Sequence, residues 1–308
     1  MTMRVFIDGA AGTTGLEIHE RLTPRDEFDL IVLDDAERKD ESARREALHE
    51  ADVAILCLPD AAAREAVELA EGSDTRIIDA SSAHRVADGW TYGFPELIGH
   101  EAVANAQFVA NPGCYPTGFL ALVAPLVRGG LLPADWPFIA HAASGYSGGG
   151  KALIERFEAD TDIAFRSYGL DLAHKHRPEM QQHAGLTHGV LFAPAVVPAF
   201  RGMHVEVPLH LGAIASSPSA ADLRAELTAY YSGSAIVSIH QGEPPSELLL
   251  SRSQPAHDTL ELFVCGNEGG WNARLIARLD NLGKGAGGAA IQNLNIMCGL
   301  PETTGLRL

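Results

Sequence analysis

The sequence predicts an α/β protein in which a Rossmann-like, doubly wound parallel sheet is joined to a second, α+β domain with a mixed sheet. Two observations lead to this fold class. Early in the chain, short apolar runs alternate with helical stretches such as residues 61–70, which is typical of a parallel sheet with helices on both faces. Later, strands of alternating polar and apolar residues at 189–195, 203–211 and 260–264 indicate a mixed or antiparallel sheet.

Length and charge limit the kinds of partner. With 308 residues the chain can bury a core in each of two domains of ordinary size. Its 23 Lys and Arg residues against 40 Asp and Glu residues give a formal net charge of −17, which argues against nucleic acid or an anionic membrane because both attract a basic face. No apolar run approaches the roughly 20 residues that cross a bilayer, and the chain leads directly into a strand, so we expect a cytoplasmic protein.

A glycine-rich turn follows the first strand, residues 4–8, and precedes a helical stretch at residues 16–22. Glycines let the backbone approach a pyrophosphate, and the N-terminus of the following helix supplies N–H donors to it. The spacing G-x-x-G-x-x-G is a variant of the common dinucleotide fingerprint, and a turn that binds nothing is the alternative. The residues predicted to contact a dinucleotide here are Gly9, Gly12, Thr13, Thr14 and Gly15.

Polar residues follow the next strands, at the sheet edge where nucleotides bind. These strands are predicted at residues 29–33, 53–58 and 76–79. After the first of them, Asp34 and Asp35 suit a ribose diol, whereas Arg38 and Lys39 suit a 2′-phosphate. The residues alone therefore leave the choice between NAD and NADP open.

Two further loops leave the sheet at the same edge. Pro59 is a candidate cofactor contact beside Asp60, a residue that helix capping alone would explain. Ser81 is another candidate cofactor contact. Arg85 could bind a substrate carboxylate in a bidentate fork, although a lone arginine can equally be a surface or structural residue.

Residues 111–118, Asn-Pro-Gly-Cys-Tyr-Pro-Thr-Gly, contain the candidate nucleophile. The apolar run 106–110 predicts a strand before them, and residues 119–126 predict a helix with Pro116 in its first turn. Cys114 then lies at a helix N-terminus, where unpaired N–H groups and the helix dipole stabilise the thiolate that attacks carbonyl groups. A small buried residue in a tight turn is the alternative. The other cysteines, Cys57, Cys265 and Cys298, lie in apolar contexts and are expected in the core.

A strand at residues 136–143 is predicted to lead into a flexible loop at residues 144–151 that ends in a lysine. Such a loop is rich in N–H donors and can bind an anion such as phosphate, which makes Ser147 and Lys151 candidate substrate ligands. A plain linker is the alternative. Arg201 lies in a predicted turn and could reach the same site or lie at the surface.

Residues 168–180 combine two imidazoles, two cations and a carboxylate. Either His174 or His176 could accept the proton of the thiol, and the residues leave this choice open. Glu179 can orient the ring of His176 if the segment is helical. The pair could also bind a metal, but no third ligand is evident, so we expect none. Near the end of the chain, the glycines of residues 280–293 precede a helix-like run, which favours a second loop at the nucleotide and makes Asn293 a candidate cofactor contact.

Together these motifs resemble those of the N-acetyl-gamma-glutamyl-phosphate reductases of the shorter kind, which are relatives of aspartate-semialdehyde dehydrogenase. The resemblance covers nearly the whole chain. Its markers are Gly9/Gly12/Gly15, Asp79-x-Ser81-x-x-x-Arg85, residues 111–117, Ser144-Gly145-x-Ser147-Gly148-x-Gly150-Lys151, His174-x-His176-x-Pro178-Glu179, and Lys284-Gly285-Ala286 with Gln292-Asn293. The sequence departs from the family pattern at Ala289, where a glutamine is usual.

The resemblance implies NADPH-dependent reduction of N-acetyl-L-glutamyl 5-phosphate to the semialdehyde and phosphate, through a thioester on Cys114, in arginine biosynthesis. It further implies a cytoplasmic homodimer or homotetramer. Residues 1–115 would form a dinucleotide-binding domain completed by a C-terminal helix within 281–308, and residues 116–280 would form the catalytic and oligomerisation domain. An aspartate-semialdehyde dehydrogenase-like activity is the nearest alternative. A cofactor-free cysteine hydrolase or acyltransferase would leave the glycine turn without a role, and a nucleotide-binding regulator would leave Cys114 and the histidines without one.

Overall fold

The computed structural model describes residues 2–34 and 36–308 and divides into two compact units. The first unit comprises Met1–Gly113 and Ala286–Leu306, and the second comprises Cys114–Gly285 and Arg307–Leu308. Asp35, a candidate ribose contact, lies outside the described residues. No helix in the part of the chain that the structure describes is both long enough and apolar enough to cross a membrane.

Strands and helices alternate in the first unit and follow a less regular order in the second. The strands are β1 (Met3–Asp8), β2 (Phe28–Ile31), β3 (Val53–Leu56), β4 (Arg76–Asp79), β5 (Thr91–Tyr92), β6 (Phe108–Ala110), β7 (Ile139–Gly145), β8 (Arg166–Ser167), β9 (Leu191–Val197), β10 (Met203–Leu209), β11 (Val237–Ile239), β12 (Leu260–Gly266) and β13 (Ala273–Leu279). The α-helices are α1 (Thr13–Leu22), α2 (Glu41–Glu50), α3 (Asp60–Leu69), α4 (Pro95–Ile98), α5 (His100–Ala104), α6 (Cys114–Arg128), α7 (Lys151–Ala159), α8 (Arg177–Ala184), α9 (Ala220–Tyr230) and α10 (Gly288–Met297).

The described residues of the first unit form a six-stranded sheet in the order β2-β1-β3-β4-β6-β5, with parallel pairing throughout. Because successive side chains of a strand point to opposite faces, each strand contributes to two cores. Val5 and Ile7 face a cluster that contains residues of α1 and α10, whereas Phe6 faces a cluster that contains residues of α2 and α3. Helices therefore cover both faces, and the predicted doubly wound sheet is confirmed.

Two predicted strands end earlier than the apolar runs suggested. β2 ends at Ile31 because Asp34 begins a turn, in which its Oδ1 accepts hydrogen bonds from the backbone N–H groups of Ala36 and Glu37. β3 ends at Leu56, whose partner Asp8 is the last residue of β1. The apolar residues beyond these points therefore belong to loops at the carboxyl edge of the sheet.

The described residues of the second unit form a seven-stranded sheet in the order β11-β12-β13-β10-β7-β9-β8. β7 runs parallel to β9 and β11 runs parallel to β12, whereas the other pairs are antiparallel, so the predicted mixed sheet is confirmed. One face of this sheet contacts α6, whose Gly118 lies against Val205 of β10 and Ala277 of β13. A Cβ atom at Gly118 would lie only 2.8 Å from Cγ2 of Val205, so the glycine allows the close approach of helix and sheet.

The prediction of a flexible loop at residues 144–151 was wrong. Ser144 and Gly145 belong to β7, where they pair with Val196 and Val197 of β9. The next residues, Tyr146–Gly149, form one turn of 3-10 helix, and Lys151 is the first residue of α7. Pairing on both sides of β7 extends the strand beyond its apolar residues, which is a tertiary effect that local sequence does not encode.

Candidate functional site

Cys114 is the first residue of α6, so the predicted placement at a helix N-terminus is confirmed. The N-terminal end of the dipole of this 15-residue helix favours a negative charge on the sulfur. The thiol is neither fully buried nor fully exposed. Gly285 lies beside it, and a Cβ atom there would stand 2.9 Å from Cβ of Cys114. The segment around Gly285 can approach the cysteine only because this position is a glycine.

The other cysteines lie in different surroundings. Burial raises the pKa of Cys57 to about 12 and that of Cys298 to about 11, and both side chains contact the core of the first unit. The expectation of core packing was wrong for Cys265, which lines a surface cavity with Pro208 and Arg274. Burial nonetheless raises its pKa as well. These three thiols are therefore disfavoured as nucleophiles at neutral pH.

The histidine segment lies against the residue that follows the cysteine. The ring of Tyr115 is 5.8 Å from the ring of His176 and 6.1 Å from the ring of His174, measured between centroids. The two imidazoles are 4.8 Å apart, and Phe192 lies 5.0 Å from His174. The fold thus gathers the candidate nucleophile's neighbour and both candidate bases in the second unit.

Two tyrosines complete this cluster, and the sequence reasoning missed both. The hydroxyl of Tyr168 donates to that of Tyr115 (3.2 Å), which in turn donates to the carbonyl of Ala195 (3.1 Å). Burial raises the pKa of Tyr115 well above its usual range, and a negative charge on Cys114 acts in the same direction. Burial also raises the pKa of Tyr168 to about 12. Both phenols are therefore neutral donors near neutral pH.

The two histidines differ in their surroundings. Burial lowers the pKa of His174 from 6.5 to about 4, and the nearby charge of Lys175 adds to this effect. His176 is the N-cap residue of α8 and is 7% exposed. Glu179 lies in the first turn of that helix and is 1% exposed. The segment after His176 is thus helical, which is the condition for Glu179 to lie on the same side of the helix as His176.

The lowered pKa of His174 predicts a pH-dependent stability. An unfolded histidine has a pKa of about 6.5, so between pH 6.5 and about 4 the unfolded chain takes up a proton that the folded chain refuses. The contribution of His174 to stability is therefore fully present above pH 6.5 and is lost as the pH falls through this window. We expect His174→Gln to lose less thermal stability than the parent on acidification, by roughly 1 kcal/mol because solvent screens the partly exposed ring. Thermal unfolding across this pH range measures the effect.

The control for this experiment is His188→Gln, which removes an exposed imidazole from the same unit. This variant should follow the parent across the whole pH range. An equal loss of stability in the parent and in both variants would contradict the assignment to His174.

A polar network surrounds the predicted anion loop. Oγ of Ser147 accepts a hydrogen bond from Nδ2 of Asn281 (2.9 Å), whose Oδ1 accepts from the backbone N–H of Gly202 (2.9 Å). Arg201 forms an ion pair of 2.9 Å with the fully buried carboxylate of Asp280. The alternative that placed Arg201 at the surface was wrong, since its side chain is only 15% exposed. Lys151 is exposed at the start of α7.

Sequence reasoning missed Asp280 and Asn281 as site residues, although both precede a glycine-rich stretch after a strand. It treated Lys284 only as a marker of the resemblance, yet this lysine is 2% exposed. Lys284 is thus a buried lysine next to Gly285, the neighbour of Cys114, and its burial could not be seen in the sequence.

The glycine turn of the first unit is tightly built. Gly9 has a φ of +91°, and a Cβ atom there would clash with the carbonyl oxygen of Cys57. A Cβ atom at Gly15 would clash with the carbonyl oxygen of Gly9. Gly12 is the N-cap residue of α1 and supplies no side-chain cap, so the N–H groups of Thr13 and Thr14 lie at an uncapped helix N-terminus. A pyrophosphate fits this arrangement of small residues and N–H donors.

The segment after β2 carries the residues that bear on NAD or NADP. Arg38 and Lys39 are exposed, as a 2′-phosphate ligand at the surface requires. The Asp34 carboxylate accepts backbone hydrogen bonds within its own turn. This use of Asp34 makes it less suited to a ribose diol and favours the phosphate alternative.

The guanidinium of Arg85 donates hydrogen bonds to backbone carbonyls. Arg85 is 8% exposed, and its guanidinium donates to the carbonyls of Asn111 and Ala80, each at 3.0 Å. These hydrogen bonds hold the loops after β4 and β6 together. They favour the structural alternative over a bidentate contact with a substrate carboxylate.

Asn293 has a buried amide oxygen that the described residues leave without a hydrogen-bond partner. Its Nδ2 donates to the carbonyl of Gly93 (2.9 Å) and to Oδ1 of Asn111 (3.1 Å), which fixes the orientation of the amide. Its Oδ1 is buried and has no hydrogen-bond partner among the described residues. Buried acceptors are normally satisfied. A ligand with an N–H donor, such as a nicotinamide cofactor, fits this position.

The described residues 2–34 and 36–308 contain no group of three or more His, Cys, Asp or Glu side chains that could hold a metal ion. His174 and His176 instead form part of the aromatic cluster around Tyr115.

Comparison with known proteins gives consistent results along the chain. Residues 4–106 match the family model for the NAD binding domain of semialdehyde dehydrogenase, and residues 114–281 match the model for its dimerisation domain. An N-acetyl-gamma-glutamyl-phosphate reductase 2 from Nostoc sp. is 49% identical over 98% of this chain and 99% of its own length. A reductase of the same name from Brucella ovis is 48% identical over 97% of this chain and 100% of its own length.

Solved structures show the same fold at lower identity. Aspartate semialdehyde dehydrogenase II from Vibrio cholerae superposes with a TM-score of 0.71 at 19% identity, covering 97% of this chain and 99% of that one. A probable aspartate-semialdehyde dehydrogenase from Pseudomonas aeruginosa gives a TM-score of 0.73 at 16% identity, with the same coverage of 97% and 99%.

Proposed function

The chain belongs to the N-acetyl-gamma-glutamyl-phosphate reductases within the semialdehyde dehydrogenase family, and from this premise we propose that it reduces N-acetyl-L-glutamyl 5-phosphate with NADPH. The products are N-acetyl-L-glutamate 5-semialdehyde and phosphate, and the reaction serves arginine biosynthesis. The observation that carries this proposal is the identity of 48–49% over nearly the whole length of curated reductases. The candidate nucleophile at the start of α6 supports it, because acyl transfer to a thiolate suits an acyl phosphate.

In this reaction the Cys114 thiolate attacks the γ-carbonyl carbon, a C–S bond forms, and the C–O bond to phosphate breaks. The acyl group is then held as a thioester on Cys114. The N-terminus of α6 stabilises the Cys114 thiolate before the attack. It stabilises the thiolate again when the thiohemiacetal collapses and releases the semialdehyde. When bound, the cofactor supplies the hydride that reduces the thioester carbon.

His176 accepts the proton of the thiol in this proposal, and Glu179 orients its ring. An efficient base has a pKa near the working pH, whereas burial holds the pKa of His174 at about 4. His174 therefore packs as a neutral ring in the cluster around Tyr115 and is a poor acceptor for a thiol proton. The position of Glu179 in the first turn of α8, one turn from the N-cap residue His176, supports the orienting role.

Phosphate and carboxylate are held by Ser147, Lys151 and Arg201. Oγ of Ser147 accepts from Asn281, which leaves its hydroxyl hydrogen for a phosphate oxygen. Arg201 is paired with Asp280, and this pair fixes the guanidinium for contact with an anion. Lys151 adds an exposed positive charge at the start of α7. Arg85 contributes indirectly, by bracing the loop that precedes Cys114.

The first unit binds the cofactor and the second carries the acyl group. The pyrophosphate lies at Gly9, Gly12, Thr13, Thr14 and Gly15, and the 2′-phosphate lies near Arg38 and Lys39. Pro59, Ser81 and Asn293 contact the rest of the dinucleotide. In this proposal residues 1–115, with a C-terminal helix within 281–308, form the dinucleotide-binding domain, and residues 116–280 form the catalytic domain. The enzyme works in the cytoplasm.

A second copy of the chain covers the outward face of the second sheet. On this face Glu206 pairs with Arg274, and Glu261 pairs with Arg278, around the apolar side chains of Phe263 and Ile276. At its edge Ile139 and Leu191 are 43% and 48% exposed. The match of residues 114–281 to a model described as a dimerisation domain supports a homodimer, or a homotetramer built from it.

The test of the function is a comparison of substrates in the reverse direction. The purified protein should form reduced cofactor from N-acetyl-L-glutamate 5-semialdehyde, phosphate and NADP, with kcat/KM at least about a hundredfold above that for aspartate semialdehyde, because a polar mismatch in a site is strongly rejected. NAD should be a poorer substrate than NADP. A preference for aspartate semialdehyde would favour the alternative dehydrogenase. With N-acetyl-L-glutamyl 5-phosphate and no cofactor, phosphate release over many turnovers would favour a cysteine hydrolase.

A further inference from the structure

The loop after β4 is organised around one buried carboxylate. Asp79, the last residue of β4, is fully buried. Its Oδ1 accepts from the backbone N–H of Ser81 (2.8 Å), and its Oδ2 accepts from the Ser81 hydroxyl (2.8 Å). Nδ1 of His84 lies 2.6 Å from the same Oδ2. Because a carboxylate only accepts hydrogen bonds, Nδ1 of His84 carries the hydrogen and donates it.

The ring of His84 is held by stacking as well as by this hydrogen bond. It lies 4.1 Å from the ring of Trp90, with only 8° between the planes, and the histidine is 8% exposed. Trp90 in turn contacts Phe108 at the start of β6, with the ring centroids 5.2 Å apart. The imidazole therefore has one orientation, and it presents its N–H to Asp79 in that orientation.

These contacts determine what the Ser81 hydroxyl can still do. Its hydrogen is donated to Asp79, and its oxygen accepts from the backbone N–H of Ala83 (3.1 Å). A hydroxyl oxygen has two acceptor positions, so one remains among the described residues. A ligand group that meets Oγ of Ser81 must then be a hydrogen-bond donor. Another acceptor, such as a phosphate or carboxylate oxygen, would be repelled.

The place of Ser81 in the sheet indicates which donor this is. The glycine turn that suits the pyrophosphate follows β1, and Ser81 follows β4, two strands away in the order β1-β3-β4. In doubly wound sheets the dinucleotide lies across the carboxyl edge, so the nicotinamide half extends from the pyrophosphate over the later strands. The donors of that half are the ribose hydroxyls and the carboxamide, and the carboxamide is the one that a cofactor analogue without an amide N–H can test.

We propose that Ser81 accepts a hydrogen bond from the carboxamide N–H of the nicotinamide cofactor, and that His84 is a positioning residue that fixes the Ser81 hydroxyl through Asp79. This inference rests on the proposed function, because it needs a nicotinamide cofactor. It assigns to His84 a role in cofactor geometry, and it predicts that the hydroxyl discriminates between cofactors with and without an amide N–H.

Two variants of His84 distinguish the effect of its hydrogen bond to Asp79 from the effect of its stacking on Trp90. His84→Phe keeps a ring against Trp90 but removes the hydrogen that Asp79 accepts. His84→Asn loses the ring but retains an N–H at the place of Nδ1. The cofactors compared are NADP and its 3-acetylpyridine analogue, in which a methyl group replaces the amide nitrogen. Dissociation constants are measured without substrate, by quenching of tryptophan fluorescence or by calorimetry.

The parent should bind NADP about tenfold more tightly than the analogue, the size of effect expected for one well-placed hydrogen bond. In His84→Phe this preference should fall to about twofold, and in His84→Asn it should stay near the parental value. The alkylation rate of Cys114 should be the same in all three proteins, which checks that the second unit is intact.

Contrary results separate the two levels of the proposal. If the parent binds neither NADP nor NAD, the proposed function fails. If the parent binds NADP but has no preference over the analogue, or if His84→Phe keeps the full preference, the role of Ser81 and His84 is contradicted while the proposed function stands. If His84→Asn loses the preference and His84→Phe retains it, His84 acts through stacking alone and the positioning role is overturned.

Discussion

Cys114→Ser should reduce kcat by at least about 1,000-fold and leave the dissociation constant of NADP within about twofold of the parent. A serine hydroxyl keeps the size of the side chain at the start of α6 but is not ionised near neutral pH, so no thioester can form. The candidate cofactor residues lie in the first unit, whereas Cys114 belongs to the second, so cofactor binding should persist. Turnover with the natural substrates and calorimetric titration with NADP measure the two quantities.

Cys265→Ser is the matched control. Cys265 lies in β12 and lines a surface cavity, so its removal changes a thiol of the same unit without touching the start of α6. This variant should retain the parental kcat. If Cys114→Ser kept more than about a tenth of the activity, the covalent route would be ruled out, because a nucleophile that carries the acyl group cannot be dispensed with.

His176→Asn should lower kcat by about 100-fold or more, whereas His174→Asn should lower it by less than about tenfold. Asparagine is a favoured N-cap residue, so the exchange at position 176 preserves the start of α8 while it removes the base. The other exchange removes an imidazole whose pKa of about 4 makes it a weak acceptor. The pH profile of Cys114 alkylation by iodoacetamide reports the activation step separately from turnover.

In His176→Asn the alkylation rate near neutral pH should fall, and the profile should shift to higher pH because the thiolate has lost its partner. His174→Asn should reproduce the parental profile. The reverse order of effects would assign the base to His174, and parental rates in both variants would remove histidine from thiol activation.

Local sequence was sufficient where neighbours in the chain define the geometry. The start of α6 could be predicted because an apolar strand, a Pro-Gly turn and Pro116 specify a strand–turn–helix unit within a few residues. The same holds for β1, the glycine turn and α1. These units carry the candidate nucleophile and the candidate pyrophosphate site, so both could be predicted from local sequence.

Contacts between distant residues could not be predicted in this way. Arg201 and Asp280 are 79 residues apart in the chain. They meet because Arg201 precedes β10, Asp280 follows β13, and Met203 of β10 pairs with Leu279 of β13. Ser147 and Asn281 are 134 residues apart, and the partnership of His84 with Trp90 depends on a stacked ring rather than on spacing. The lowered pKa of His174 likewise comes from burial, which only tertiary packing sets.

Formation of an acyl-enzyme without reduced cofactor shows whether Cys114 carries the acyl group. The protein is mixed with N-acetyl-L-glutamyl 5-phosphate, generated in place by a kinase and then separated from it, and is analysed by phosphate assay and peptide mass spectrometry. We expect phosphate release stoichiometric with the enzyme and a hydroxylamine-labile N-acetylglutamyl group on the peptide that contains Cys114. Phosphate release only when NADPH is present, or an acyl group on any other residue, would rule out a thioester on Cys114.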